Sequence, residues 1–299
     1  MAYSAADLAA DDITLAAADK TMICPQMIVA PNGSEWSAAG SFAGADASAS
    51  GFPAARAYDG FTDLVTKPSS AAVTWYYLLD FSVTPIDIDF CAIMGHNFGT
   101  ITGLTVTLEI ADDSAFTTNL IEIASFSPAS SNNRLIDLVL ETGGGTARKY
   151  STVPYARIVI TGTSGTPEIG ELILGERLQM QYKPNRPYNP DQVSAESEQF
   201  RTKSGIVTTY IHNRGARSVN ASLVVSGTTK IADVNAFWTN TRHGTLPFLW
   251  VENPNSTPAS YNLMTFEDGY ELEFLEVGPN HRELGISAIE QGPDFLALQ

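Results

Sequence analysis

Cysteine and histidine are both scarce in this sequence, which has two cysteines and four histidines in 299 residues. Cys24 and Cys91 are too few for a disulfide framework, and Cys91 lies in an apolar run, so we expect two reduced, buried thiols. The sequence contains no Cys-x-x-Cys pair, and no histidine stands three or four residues from another. We therefore predict neither a metal site nor a cofactor.

Long apolar stretches are also missing. No run approaches the roughly 18 residues that a membrane-spanning helix needs. The first seven residues have neither the basic start nor the apolar stretch of a secretory signal. We expect a chain that is made in the cytoplasm without a signal peptide and is not inserted in a membrane.

Basic residues are few, and the net charge is −16. Residues 1–150 hold 6 basic and 17 acidic side chains, and residues 151–299 hold 11 and 16. Such a field repels polyanions, which argues against partners that are nucleic acids or anionic lipid surfaces. High solubility is the expected consequence of this charge.

Signatures of catalysis are absent as well. The sequence has no Gly-x-Ser-x-Gly elbow, no phosphate-binding Gly-x-x-x-x-Gly-Lys loop and no His-Glu-x-x-His. Three carboxylate pairs have spacings that a glycosidase could use: Asp87 with Asp89, Asp112 with Asp113, and Glu271 with Glu273. Solvated strand faces produce the same spacings, so we favour that interpretation and predict that the chain is not an enzyme.

Short strands account for most of the remaining pattern. Residues 104–110 alternate strictly between apolar and polar side chains, which is typical of a half-buried antiparallel strand. In the second half, Ile231, Val234, Phe237 and Trp238 recur at helical spacing and predict one helix that ends before Gly244. We predict a mainly β protein with two β-sandwich or jelly-roll domains and one helix in the second.

The composition changes mark four segments. Residues 1–53 are rich in Ala, Ser, Gly and Asp and are interpreted as an irregular N-terminal arm. Residues 54–178 form the first domain. The segment Tyr182-Lys-Pro-Asn-Arg-Pro-Tyr-Asn-Pro190 cannot lie inside a sheet or helix, so residues 179–198 are predicted as a linker. Residues 199–299 form the second domain.

Three aromatic residues are candidates for contacts with a ligand or another subunit. Trp36, in Pro31-Asn-Gly-Ser-Glu-Trp36, lies in a loop context and is a candidate glycan contact. Phe248 and Trp250, in Leu246-Pro-Phe-Leu-Trp-Val251, have a composition that suits either an assembly interface or a domain core. The sequence leaves these two alternatives open.

The first domain resembles discoidin-like, or galactose-binding-like, jelly rolls. The residues that carry this resemblance are Ala54-Ala-Arg-Ala-Tyr-Asp-Gly60, Trp75-Tyr-Tyr-Leu-Leu-Asp-Phe81, Ala92-Ile-Met-Gly-His-Asn-Phe98, Val106-Thr-Leu-Glu-Ile-Ala-Asp-Asp113, Ala156-Arg-Ile-Val-Ile160 and Ile169-Gly-Glu-Leu-Ile-Leu-Gly175. The resemblance implies a module that binds glycans or phospholipid heads through loops at one end. Its ligand-binding residues are not a shared motif, so it assigns none here.

The order of motifs over residues 54–290 resembles tail-associated virion proteins of bacteriophages. The residues involved are Gly95-His-Asn97, Gly170-Glu-Leu-Ile-Leu-Gly-Glu-Arg-Leu178 and Leu246-Pro-Phe-Leu-Trp-Val-Glu-Asn-Pro254. This resemblance implies a structural component of a phage tail tip, of the distal or minor tail kind, located in the virion. Its partners would be other tail proteins and copies of itself in a ring or collar. The alternative is a carbohydrate-binding module protein that attaches to a host-surface glycan.

Overall fold

The computed structural model describes most of the chain in sixteen segments. These are residues 10–12, 22–25, 30–42, 44–60, 64–126, 134–137, 141–142, 146–162, 165–180, 192–194, 197–201, 207–211, 216–240, 246–251, 261–274 and 281–290. The chain divides into two compact units. Unit 1 comprises Met1–Ala16 and Cys24–Arg177, and unit 2 comprises Ala17–Ile23 and Leu178–Gln299.

Strands dominate both units. The strands up to Arg177 are β1 (Ala10–Asp12), β2 (Met22–Pro25), β3 (Gly33–Ser37), β4 (Thr74–Asp80), β5 (Ile86–Ile88), β6 (Phe90–Met94), β7 (Thr105–Ala111), β8 (Ile121–Phe126), β9 (Arg134–Asp137), β10 (Glu141–Thr142), β11 (Thr146–Val153), β12 (Tyr155–Thr161) and β13 (Glu171–Gly175). The later strands are β14 (Leu178–Gln179), β15 (Gln192–Ser194), β16 (Ser197–Arg201), β17 (Val207–Ile211), β18 (Ala216–Ser226), β19 (Phe248–Val251), β20 (Tyr261–Phe274) and β21 (His281–Glu290).

Helices are few in the described segments. Two short 3-10 helices span Ala54–Tyr58 and Phe98–Thr100, and one α-helix, α1, spans Thr228–Asn240. The prediction of a mainly β protein with one helix in its second half is therefore confirmed. No helix in these segments is both long enough and apolar enough to cross a membrane.

Unit 1 is a sandwich of antiparallel sheets. Its largest sheet has five strands in the order β3-β4-β12-β7-β8. Opposite it lie a three-stranded sheet, β13-β6-β9, and a sheet in which β11 pairs with β1, β10 and β5. The alternation predicted from the sequence for residues 104–110 is present in β7, where Val106, Leu108 and Ile110 are fully buried.

The core of unit 1 fills the space between these sheets. In β4, Trp75, Tyr77 and Leu79 point inward, and from the opposite side Ile93 and Leu172 meet them in the same cluster. Cys91 belongs to this core, is fully buried and is not in a disulfide, as expected. The side chain of Cys24 lies outside the part of the chain whose side chains are described.

The predicted irregular arm at residues 1–53 is wrong where the structure describes it. Residues 33–37 form strand β3 and pair with β4, Trp36 lying opposite Tyr77. Trp36 belongs to the core rather than to a flexible arm. The sequence hides this strand because Trp36 is its only apolar residue and Asn32-Gly33 immediately before it is a turn signal.

Unit 2 is built on a seven-stranded sheet in the order β14-β2-β19-β20-β21-β18-β15. A separate hairpin pairs β16 with β17. The helix α1 packs on the sheet with the spacing predicted from the sequence: Val234 and Phe237 are buried, and Ile231 and Trp238 pack against the same core. Gly227 precedes the helix with a positive φ of 90°, a conformation that glycine adopts at no steric cost.

Phe248 and Trp250 both lie in the core of unit 2. Phe248 is 0% and Trp250 is 1% exposed, and both belong to the cluster under α1. Phe248 also packs against Phe266, with ring centroids 4.6 Å apart. In this structure neither residue is available to another subunit, so their candidate role as interface contacts is corrected to a role in domain packing. Of the linker predicted at residues 179–198, residues 181–191, 195 and 196 lie outside the described segments. Its described ends are strands instead, since Gln179 belongs to β14, residues 192–194 form β15 and β16 begins at Ser197.

One buried glycine limits the packing of unit 1. Gly162 follows β12, and a Cβ added to it would lie 2.6 Å from Cγ2 of Ile101, which is itself nearly buried. We expect Gly162→Ala to lower the free energy of unfolding by about 1–3 kcal/mol, because the overpacked side chains must move. The urea midpoint measures this change.

Gly33 provides the matched control. A Cβ there meets nothing within 4 Å. We expect Gly33→Ala to change the free energy of unfolding by no more than about 1 kcal/mol, in the stabilising direction. Equal destabilisation by the two substitutions would contradict this account of Gly162.

Candidate functional site

Three loop segments of unit 1 meet side by side on its surface. Ala49 donates its N–H to the carbonyl of Lys67 at 2.8 Å, and Ser48 pairs with Pro68. On the other side Thr66 pairs with Ile169 through two hydrogen bonds of 2.8 and 3.0 Å. These pairings hold residues 48–49, 66–68 and 168–169 as neighbours without a regular sheet.

Phe52 lies on this surface in contact with two cations. The Lys67 Nζ lies 4.0 Å from the centre of the Phe52 ring, and the Arg56 guanidinium carbon lies 5.6 Å from it. Glu168 accepts a hydrogen bond from Lys67 Nζ at 3.2 Å. We call Phe52, Arg56, Lys67 and Glu168 the Phe52 patch. It presents an aromatic ring, two cationic donors and one carboxylate acceptor.

The Phe52 ring is unusual among the aromatic side chains of unit 1. Five of those described are partly exposed, namely Phe42, Phe52, Tyr58, Tyr76 and Tyr155. The other four pack against one of two hydrophobic clusters formed by the described residues of the unit. Phe52 is in neither cluster, so burial in those clusters does not account for its position.

Trp36, the candidate glycan contact, lies beneath this patch rather than on it. It is 0% exposed, so its ring cannot stack on a ligand, and the sequence-based expectation is corrected. Its indole N–H donates to the Thr66 hydroxyl at 2.9 Å, and that hydroxyl donates to the Phe52 carbonyl at 3.2 Å. Trp36 is thus a positioning residue for the segments that carry Phe52 and Lys67.

A second aromatic cluster lies on the outer face of the five-stranded sheet and is closed by loops. Arg157 forms an ion pair with Glu109 at 2.6 Å and donates to the carbonyl of Gly40. Its guanidinium lies 4.9 Å from the centre of the Tyr76 ring and 4.5 Å from that of Phe116, which is buried. These contacts of Arg157 hold loops against the sheet.

The carboxylate pair Asp87 and Asp89 is split between two structural roles. Asp87 forms an ion pair with Lys149 at 2.8 Å and accepts the N–H of Thr152 at 3.0 Å. Asp89 is buried and accepts the N–H of Arg177 at 2.8 Å, while the Arg177 Nε lies 3.5 Å from its other oxygen. Desolvation raises the pKa of Asp89 to about 7, against the opposing effect of Arg177. The pair is not arranged as two solvent-facing carboxyls.

The second pair, Asp112 and Asp113, lies in the turn between β7 and β8. Asp113 accepts the N–H groups of Thr117 and Thr118 at 2.9 and 2.8 Å, and Asp112 accepts the side-chain amide of Asn119. Both carboxylates therefore shape the turn. The side chains of the third pair, Glu271 and Glu273, lie outside the described part of the chain.

Of the four histidines, only His96 has a described side chain. It is buried and stacks on Phe98 with ring centroids 4.3 Å apart. Within the described segments, no three His, Cys, Asp or Glu side chains are grouped so that they could hold a metal ion.

Sequence reasoning did not select any member of the Phe52 patch. One signal was present, since Phe52 lies between Gly51 and Pro53 and so has the same loop context that drew attention to Trp36. Lys67 and Glu168 are 101 positions apart, and only the fold brings them together.

Comparison with known proteins yields no family, and the solved structures that it finds are weak likenesses. No family model and no curated protein matches the chain. Chitosan-binding module 1 from a chitosanase/glucanase of Paenibacillus sp. IK-5 is similar over 50% of this chain and 98% of the module, at 14% identity and a TM-score of 0.34. A selenomethionine-labelled mutant of that module gives 13% identity, the same coverage and a TM-score of 0.33. SpGH29 matches 48% of this chain and 27% of its own, at 17% identity and a TM-score of 0.31.

The raised pKa of Asp89 predicts a specific dependence of stability on pH. A carboxyl whose pKa is higher in the folded than in the unfolded chain stabilises the fold fully below about pH 4, and this contribution is lost as the pH rises through about 7. We expect the stability of the wild type relative to Asp89→Asn to fall by up to about 4 kcal/mol between pH 4 and pH 8. Urea unfolding of both proteins at several pH values measures the difference.

Asp113→Asn is the control for this experiment. Desolvation is the largest single effect and raises the pKa of Asp113, but the hydrogen bonds from Thr117 and Thr118 together outweigh it and lower this pKa below the ordinary value. Asp113→Asn should therefore leave the slope between pH 4 and pH 8 unchanged. A constant difference between the wild type and Asp89→Asn over this range would show that Asp89 does not titrate there.

Proposed function

We propose that this chain is a non-catalytic glycan-binding protein whose sugar-binding surface is the Phe52 patch. One observation carries the proposal: Phe52 is a partly exposed aromatic ring outside both hydrophobic clusters of unit 1, with donors and an acceptor around it. The discoidin-like sequence resemblance of residues 54–175 points in the same direction.

The chemistry of the patch suits a sugar. The C–H groups on one face of a pyranose pack against the negative face of an aromatic ring. The hydroxyls beside that face need both donors and acceptors, which Lys67, Arg56 and Glu168 supply. The Lys67 and Glu168 side chains are 28% and 30% exposed, so ligand hydroxyls can reach their charged ends.

The patch is also held in place before any ligand binds. The Trp36–Thr66–Phe52 hydrogen bonds and the Thr66–Ile169 pairing fix the segments from below. Asn97 adds a further support, since its side chain accepts the N–H of Glu168 and donates to the carbonyl of Thr166, both at 2.9 Å. Such preorganisation reduces the entropy lost on binding.

The experiment compares Phe52→Leu with the wild type, using a glycan array followed by calorimetry on the glycans that bind. Leucine keeps an apolar side chain but removes the aromatic face. We expect affinity to fall by roughly three- to tenfold, since an aromatic contact contributes about 0.5–1.5 kcal/mol beyond its buried area.

Phe42→Leu is the matched control, because Phe42 is also partly exposed but packs with Phe116 and Tyr155 in the second cluster. Its glycan affinity should remain at the wild-type value. Equal losses in the two variants, or no glycan bound by the wild type, would contradict the proposal.

A second candidate function rests on the order of motifs over residues 54–290. We propose that the chain is a structural subunit of a bacteriophage tail tip, of the distal or minor tail kind, and resides in the virion with other tail proteins and copies of itself. Its division into two units, each with its own core, favours this role because one unit can join an assembly while the other remains on the outside. The two candidate functions are compatible, because a tail-tip subunit can carry a glycan-binding unit.

Assembly is tested with the full chain and the proteins encoded beside its gene. We expect light scattering to detect a complex of defined mass and electron microscopy to show a closed ring or collar. Because Phe248 and Trp250 are buried, alanine variants at exposed positions of α1, such as Asn235, are the appropriate probes of an interface on unit 2. A chain that stays monomeric with every neighbouring product would contradict the tail role.

A further inference from the structure

Among the described side chains of unit 1, Arg56 is the cation for which no carboxylate lies within ion-pair distance. Among the described side chains of this unit, every other Lys and Arg forms an ion pair: Lys67 with Glu168, Lys149 with Asp87 and Glu176, Arg157 with Glu109, and Arg177 with Asp89. Arg56 contacts no carboxylate in this part of the chain. It makes one long hydrogen bond, from Nη1 to the carbonyl of Val65 at 3.4 Å, and lies over the Phe52 ring.

This lack of a partner is notable because acidic residues are abundant. The chain has 33 acidic against 17 basic side chains, and each of the four other described cations of unit 1 has a carboxylate within ion-pair distance. A guanidinium carries five N–H donors in a planar fork that matches a carboxylate, and among the described residues Arg56 uses one of them. Arg56 is also only partly buried, so the remaining donors are available to a ligand.

We infer that the Phe52 patch selects glycans that carry a carboxylate, with Arg56 as the residue that recognises it. This inference rests on the proposed function, since it names the class of sugar that the same patch binds. The sugar ring packs against the exposed part of the Phe52 side chain, and the carboxylate of the sugar binds Arg56, which has no acidic partner among the described side chains. Lys67 lies over the same ring, but its charge is paired with Glu168, so Arg56 is the cation of the patch that remains for the ligand's carboxylate.

Long-range attraction does not account for such selectivity. The net charge of −16 repels an acidic glycan at a distance, so any preference for it must come from short-range contacts. A bidentate contact between a guanidinium and a carboxylate is the strongest short-range contact that the patch offers. Removing Arg56 should therefore change selectivity more than it changes the binding of neutral sugars.

The experiment uses the full chain and three pairs of probes, each with one member that carries carboxylates and one that does not; only the third pair is otherwise identical. The pairs are sialyllactose and lactose, hyaluronan and chitin hexasaccharides, and an oligogalacturonate with its methyl ester. For each pair that contains a ligand, we expect the acidic member to bind roughly tenfold tighter, as a charged contact exceeds a neutral hydrogen bond by about that factor. We expect Arg56→Gln to abolish this ratio and Arg56→Lys to restore part of it.

Lys230→Gln on α1 is the matched control. It removes the same charge from a cation that pairs with Asp233 in unit 2, so it changes the overall field equally. The acidic preference should persist in this variant. The melting temperature of each variant is measured to check that its fold is retained.

The outcomes separate the inference from the proposed function. Equal affinities for the two members of each pair in the wild type would overturn the inference and leave glycan binding intact. A preference that survives Arg56→Gln would overturn the assignment to Arg56. If no probe of either kind binds and the array is also empty, the proposed function fails and the inference fails with it.

Discussion

The burial of one tryptophan organises unit 1. Trp36 is fully enclosed, and its indole N–H donates to the Thr66 hydroxyl. The backbone of Trp36 bonds to Asp46 and Ala47. Through its side chain and its backbone, this one residue joins the edge of the five-stranded sheet to two loop segments. Because the Thr66 hydroxyl in turn donates a hydrogen bond to the Phe52 carbonyl, the position of the Phe52 patch depends on the packing of the core.

The described cations of unit 1 each hold particular segments in place. In a strongly acidic chain, each described cation of unit 1 has a distinct place: Arg157 pins two loops to the sheet, Arg177 and Lys149 hold the end of β13, and Lys67 and Arg56 flank Phe52. Lys149 shows the strength of these local arrangements. Burial opposes its charged form, yet the hydrogen bonds that Lys149 donates to Asp87 and Glu176 raise its pKa above the ordinary value.

The sequence predicted those features that depend on local periodicity. Strand β7 was visible because its apolar residues alternate, and α1 because Ile231, Val234 and Phe237 share one face. Strand β3 was missed because one tryptophan in five residues leaves no period to detect. The different roles of Asp87 and Asp89 could not be predicted, because their partners, Lys149 and Arg177, lie far away in the sequence. The Phe52 patch could not be assembled for the same reason, although Phe52 itself has a recognisable loop context.

The division of the chain also affects how the protein is made. The chain crosses between the units three times, since Ala17–Ile23 belongs to unit 2 although residues of unit 1 precede and follow it. Strand β2 therefore leaves the ribosome before most of unit 1, but its neighbours β14 and β19 begin only at Leu178 and Phe248. During synthesis the neighbours of β2 in its sheet are therefore made only after most of unit 1. Pairing strands that are so far apart in the sequence is intrinsically slow. We therefore expect the sheet of unit 2 to be the last part of the protein to fold.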